Sequence, residues 1–250
     1  MPQKDKIISE LKLNPKTIID DYRMAFKSRQ ASIIGRREVL SGKAKFGIFG
    51  DGKEVAQLAM AKSFQKGDFR SGYYRDQTFM FAIGEHKISE FFAQLYADPN
   101  IKNEPATAGR SMNAHFATRS LNEDGTWKNL MEIKNSSADI SPTGSQMPRL
   151  VGLAYASKLY RELEDLKEFV EFSDNGNEVA FGTIGNASCA EGIFWEAINA
   201  LSVLRAPAVV SIWDDGYGIS VSNQYQFSRD LSELLSGFQR EEGTDSGFDL

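Results

Sequence analysis

The stretch "TIGNASCAEGIFWEAINALSVLRAPAVVSIWDDGYGIS", residues 183 to 220, decides the fold. It completes an apolar run begun at "EVAFGTIG", then gives a turn, a helix-forming segment, a second apolar run and an acidic turn. Two short apolar runs joined by a helical crossover read as parallel strands of an α/β sheet, with both carboxyl ends at one edge. Ligands of open α/β sheets bind at that edge. Ser188-Cys189-Ala190-Glu191 has the Ser-x-x-Glu pattern of a capping box, with Ser188 as N-cap and Glu191 reaching back. Free backbone N–H groups and the positive dipole end of such a helix suit a diphosphate. A plain strand-to-helix turn would look the same up to this point. The second strand's acidic end distinguishes them. Magnesium takes oxygen ligands from one or two side chains plus phosphates and water. Asn186 and Asp215 can each supply one oxygen, and the Tyr217 carbonyl a third. The first turn nevertheless lacks a carboxylate, and the carboxylates Asp214-Asp215 stand at the far end.

The whole chain is compatible with this reading. Its 250 residues, 41% hydrophobic and 25% charged, can bury a sizeable core. A net charge of −5 without a dense Lys/Arg block argues against a general nucleic-acid binder. The single cysteine, Cys189, cannot form an internal disulfide, and the N-terminus is too polar for a signal peptide. No apolar run approaches membrane-spanning length, so a cytoplasmic protein without membrane or nucleic-acid partners is expected.

Helical spacing is expected over 17–41, with Ile18, Tyr22, Phe26 and Ile33 in step, then over 54–64, 76–83, 88–96 and 146–163. Residues 97–145 lack periodicity and read as one long loop of the kind that is functional or partly disordered. Residues 1–45 form an N-terminal helical arm in this reading, and 46–250 the ligand-binding domain. No strand is expected to continue the sheet begun at 178–185 and 207–214, so the sheet is read as incomplete at the C-terminus. Gly50-Asp51-Gly52 is a literal Gly-Asp-Gly, but no second strand and turn follow at a useful distance, so it reads as a loop before the Glu54 helix. His86 reads as an exposed position at a helix start.

Residues 185–199, "GNASCAEGIFWEAIN", and 213–220, "WDDGYGIS", resemble thiamine diphosphate enzymes, specifically the decarboxylating first component of 2-oxoacid dehydrogenase complexes, in its alpha-subunit-like part. The family signature is Gly-Asp-Gly, a helix and strand, then Asn-Asn. Here Asn186 replaces the first Asp and Asp215 the metal-binding Asn, so one carboxylate and one amide remain and the ligand charge is kept. By the same resemblance, "FRSGYYRDQTFMFAIG" carries Tyr74 and Arg75 toward the cofactor diphosphate; a surface Arg75 paired with Asp76 is the plain alternative. "GRSMNAHFA" resembles the stretch with an active-site histidine, here His115, the candidate catalytic residue. "ISPTGSQMPRLVGLAYA" resembles the aminopyrimidine-contacting loop, with Ser141 and Thr143; relatives usually have a bulky apolar residue at the place of Thr143.

The resemblance implies a thiamine diphosphate-binding α/β fold with a mostly parallel sheet flanked by helices. Thiamine diphosphate would be held by Tyr74, Arg75, Ser141, Thr143, Gly185, Asn186 and Ser188, and magnesium by Asn186, Asp215 and Tyr217. It also implies partners: a beta-like subunit or fused second half supplying the activating glutamate, a lipoyl-bearing acyltransferase, and an oligomer. The family's further histidine-bearing loop finds no counterpart, since no histidine follows His115. A related thiamine enzyme such as an acetoin dehydrogenase, or a non-catalytic nucleotide-binding module on this scaffold, are the alternatives. "ISPTGSQMP" looks closer to the branched-chain members than to the pyruvate ones.

Overall fold

A computed structural model describes residues 14–241, 243, 247 and 248. The polar N-terminal residues 1–13, in which most of the signal-peptide reading falls, lie outside the described residues. The elements in chain order are α1 (Pro15–Leu40), α2 (Glu54–Ser63), β1 (Phe69–Ser71), α3 (Gln77–Ile83), α4 (Ile88–Leu95), β2 (Asn135–Ser136) and α5 (Gln146–Glu162). There follow β3 (Ala180–Gly185), α6 (Gly192–Leu204), β4 (Ala208–Trp213), a small hairpin of β5 (Tyr217–Gly218) and β6 (Val221–Ser222), and α7 (Leu231–Leu235). The expected helices and the two expected strands form within a few residues of their sequence-derived bounds. No helix among the described residues is long and apolar enough to cross a membrane.

The main sheet is parallel, ordered β2-β1-β3-β4, with helices on both faces. Successive β3 side chains alternate between faces. Ala180 and Ile184 join Met147 and Leu150 of α5 and Phe194 and Leu201 of α6 in one core. Phe181 joins the opposite core, where Phe64 packs edge-on against both Phe79 (5.2 Å) and Phe181 (5.0 Å). α1 buries only small residues, Ser28, Ala31, Ser32 and Gly35, so its backbone lies close against the domain. The periodic side chains Ile18, Tyr22, Phe26 and Ile33 point outward instead, Tyr22 being 68% exposed.

β1 and β2 are absent from the sequence reading, and their chemistry explains why. They are three and two residues long and carry Arg70, Asn135 and Ser136, all buried. Their order comes from polar bonds. Arg70, with a fully buried side chain, donates to Asp76 (2.8 Å), to both oxygens of Asp139 (3.0 Å each), to Ser136 Oγ (2.8 Å) and to the Tyr73 carbonyl (3.0 Å). Asp76 also accepts from Thr183 on β3 and from Trp213 Nε1 on β4 (3.2 Å). Gly72 is required inside this knot: a Cβ there would lie 2.1 Å from Asp76 and 2.3 Å from Arg70. The long loop is likewise ordered from within, as buried Glu104 accepts from the backbone of Ala106, Thr107 and Gly109.

His86 is a correction to the sequence reading: it is 4% exposed, stacked on Phe81 and edge-on to Phe116 (5.0 Å). Its Nε2 has no hydrogen-bond partner, and burial lowers its pKa to about 4. The periodicity of "GEHKIS" could not reveal this, because one ring comes from the preceding helix and the other, Phe116, from a distant loop.

The buried Arg70 and His86 can each be tested. Arg70→Met leaves Asp76 and Asp139 buried without their cation and should cost about 3–5 kcal/mol in urea unfolding. An unchanged midpoint would remove Arg70 from its structural role. For His86 the folded pKa lies below the unfolded one, so its contribution to stability is present above about pH 6.5 and lost as pH falls toward 4. That loss approaches roughly 3 kcal/mol. His86→Phe should therefore narrow the gap between melting temperatures at about pH 7.5 and about pH 5. An equal gap in both proteins would exclude His86 as the sensor.

Candidate functional site

At the carboxyl edge of β3 and β4, five segments enclose a cleft of about 820 Å³. Tyr74, Arg75, Thr143, Gly185, Asn186, Ser188, Asp215 and Tyr217 all line it. Residues scattered over much of the chain thus meet at the place where a parallel sheet presents its ligand site. A second cleft of about 630 Å³, beside the β4 edge, holds none of the candidate residues.

The turn after β3 differs from its sequence reading. Asn186–Ala190 form a 3₁₀ turn, Glu191 is extended (φ −70°, ψ 137°), and α6 starts only at Gly192. Ser188 is therefore not the N-cap, and the capping box does not form. Glu191 takes the cap position without a side-chain cap bond, while its N–H donates to the Ser188 carbonyl (3.2 Å). The inserted 3₁₀ turn moves the helix start beyond the Ser-x-x-Glu pattern. The buried Cys189 in this turn has its thiol pushed up to about 12 by burial, so it is inert at neutral pH.

Asn186 is buried, and its amide donates to the Tyr217 carbonyl (3.1 Å) and to Asn223 Oδ1 (2.6 Å). Asn223 in turn donates to Asp214 (3.0 Å). Asp215 accepts from the Tyr217 N–H (3.3 Å) and from Lys53 Nζ (2.9 Å). Burial pushes the Asp215 carboxyl up, but the hydrogen bond and charge of Lys53 outweigh it and hold the group below its ordinary range. The three candidate metal ligands offer only oxygens, amide, carboxylate and carbonyl, which suits a hard cation. Among the described residues no three His, Cys, Asp or Glu side chains converge on a metal position.

Arg75 does not pair with Asp76, which Arg70 holds; it donates to the Phe49 carbonyl (2.9 Å) and lies over the Tyr74 ring. His115 and Ser141 fall outside the cleft wall. His115 is buried, with Nε2 at 3.0 Å from Ser141 Oγ and Nδ1 at 3.3 Å from the Asn113 carbonyl. The structure thus joins these two candidates to each other, and only their neighbour Thr143 reaches the cleft.

Sequence reasoning missed Tyr73, Lys53 and Asn223. Tyr73 lines the cleft with a buried hydroxyl that has no hydrogen-bond partner, an orphaned donor of the kind a bound anion satisfies. The doubled Tyr73-Tyr74 was visible in the sequence, but nothing in it separates the two rings. Lys53 directly follows the dismissed Gly-Asp-Gly, and Asn223 follows the hairpin.

The profile of the family described as "Dehydrogenase E1 component" matches residues 22–234. The chain belongs to the dehydrogenase E1 component family. This E1 chain is 29% identical over 235 residues to the 2-oxoisovalerate dehydrogenase subunit alpha of Bacillus subtilis (strain 168), covering 91% of the chain and 60% of that relative. It is 27% identical over 226 residues to the pyruvate dehydrogenase E1 component subunit alpha of Acholeplasma laidlawii, covering 87% and 52%. It is 25% identical over 189 residues to the mitochondrial 2-oxoisovalerate dehydrogenase subunit alpha of Caenorhabditis elegans, covering 76% and 37%. The chain therefore spans between a third and three fifths of the length of these relatives.

The relay from Asn186 through Asn223 to Asp214 makes a prediction about the amide at 186. Asn186→Asp sets a carboxylate against two acceptors and should cost about 1–3 kcal/mol of stability. Adding Asp214→Asn lets Asn223 turn its donor toward residue 186, and part of the loss should return. A double-mutant cycle in urea measures this, and strictly additive losses would break the relay.

Proposed function

We propose that this chain is the cofactor-anchoring, alpha-like part of a 2-oxoacid dehydrogenase. It acts with a beta-like subunit or fused half that supplies the activating glutamate, in an oligomer that passes the acyl group to a lipoyl arm of an acyltransferase component. The observation that carries the reading is the gathering of eight candidate residues, with the orphaned Tyr73 hydroxyl, on one cleft. That orphan and the cations Lys53 and Arg75 fit a diphosphate, and the oxygen donors fit magnesium.

Thiamine diphosphate, when bound, would supply the nucleophile and electron sink that decarboxylation of a 2-oxoacid requires. The chain's own residues do the holding. Arg75, the Tyr73 hydroxyl and the N–H groups of the turn at 186–190 bind the diphosphate. Asn186, Asp215 and the Tyr217 carbonyl hold the magnesium ion. Thr143 bounds the aminopyrimidine side, with Ser141 behind it on His115. The bond from Nδ1–H to the Asn113 carbonyl and the bond from the Ser141 hydroxyl to Nε2 fix the His115 ring. His115 in that orientation serves substrate binding or acyl transfer.

The substrate class we assign is the branched-chain 2-oxoacids, from the character of "ISPTGSQMP". The test is decarboxylation by the natural assembly with thiamine diphosphate, magnesium and an artificial electron acceptor. Turnover is expected for the assembly and absent for the 250-residue chain alone. kcat/KM should be higher for 2-oxoisovalerate than for pyruvate. Turnover by the chain alone would remove the need for a partner, and a clear preference for pyruvate would reverse the substrate assignment.

A further inference from the structure

Lys53 is a cleft residue with a fixed place and a partner that the proposed site needs for itself. Its side chain is only 10% exposed, and its ammonium pairs with Asp215 at 2.9 Å. The loop that carries it is stitched to the Tyr-Arg turn. Gly50 N–H donates to Gln77 (3.0 Å), Gln57 donates to the Arg75 carbonyl (2.7 Å), and Arg75 donates back to the Phe49 carbonyl. Gly50 lies so close that a Cβ would be 2.3 Å from the Arg75 carbonyl oxygen. Asp51 is drawn outward by Arg36 (2.8 Å). The Gly-Asp-Gly of this loop, which holds no metal in our reading, is thus the device that presents Lys53.

We propose that Lys53 is a diphosphate-binding residue, and that Asp215 is its resting counter-ion, released to the divalent cation when the cofactor enters. This rests on the cofactor reading above. Two cations, Lys53 and Arg75, and two carboxylates, Glu191 and Asp215, line the cleft. With Lys53 the wall is neutral in formal charge; without it, one net negative charge faces an anionic ligand. An ammonium presents three donors, so it can bind phosphate oxygens once the carboxylate turns to a metal. The pair also keeps Asp215 from standing as a bare anion at the entrance.

The experiment is titration calorimetry on the natural assembly, freed of cofactor by dialysis against a chelator. Inorganic pyrophosphate without metal and thiamine diphosphate with magnesium are the two probes. Lys53→Gln should weaken both by about tenfold, the range for one charged hydrogen bond. Lys53→Arg should restore most of that loss. Asp215→Asn should move the probes in opposite directions, tightening metal-free pyrophosphate while weakening magnesium-dependent thiamine diphosphate. Unchanged affinities in folded Lys53→Gln, with wild-type protein binding thiamine diphosphate, would overturn the role of Lys53 and leave the cofactor reading intact. Equal weakening of both probes by Asp215→Asn would overturn the exchange. Failure of the wild-type assembly to bind thiamine diphosphate at all would overturn the cofactor reading and this inference together.

Discussion

The carboxyl edge of the sheet is held together by one buried guanidinium. β1 and β2 are too short for their ladders alone to define a sheet, since isolated short strand pairs are marginal in water. Arg70 supplies what the ladders lack: it ties β1 to Ser136 on β2 and to Asp139 beyond it. Through Asp76 it also reaches Thr183 on β3 and Trp213 on β4. Burial pushes the Asp139 carboxyl up to about 6 against the opposing pull of Arg70. Such a network contributes little net stability over an apolar core, but it fixes geometry, because every donor has one acceptable partner. The Tyr73–Arg75 turn, which carries one wall of the cleft, hangs directly from this knot.

That design sets the limit of what the sequence reveals. Where apolar side chains carry the packing, period and length are enough. α5, β3, α6 and β4 fall within a few residues of their expected places, and their cores are the Met147–Leu150–Phe194 and Phe64–Phe79–Phe181 clusters. Where buried polar groups carry it, the pattern is mute. "FRS" and "NS" have no apolar alternation, and Arg70 reads as a surface residue until its carboxylates are seen. The exposed stripe on α1 is the reverse case, a helical periodicity whose apolar side faces outward. The capping pattern at Ser188 fails for a different reason. Local sequence cannot count how many residues a turn will use before the helix starts.

The candidate site was legible to the extent that its backbone motifs were. Glycines and carboxylates at strand ends announce themselves, and Gly185 and Asp215 line one cleft. Its electrostatics were not, because Asp215 and Asn186 are each answered by a residue outside their own motif. Asp215 is answered by Lys53 from the loop before α2, and Asn186 is answered by Asn223 beyond the β5–β6 hairpin.

These partnerships change what the departure from Gly-Asp-Gly and Asn-Asn means. Read position by position, Asn186 and Asp215 look like one carboxylate exchanged for another across a metal. The hydrogen bonds describe a different coupling. The donor at Asn186 is matched to the acceptor of Asn223, whose own donor is matched to Asp214, so residues 186 and 214 form one unit. Asp215 belongs to a second unit with Lys53. An amide at 186 and a carboxylate at 214 are therefore a matched set of donor and acceptor, and the carboxylate at 215 is matched by charge. A change confined to one member of either unit leaves a donor facing a donor or an anion without its cation; the first is costly at the buried Asn186, the second milder at the exposed Asp215. The cleft thus constrains its residues in coupled groups, and the identity of any one of them is interpretable only alongside the partner that the fold brings to it.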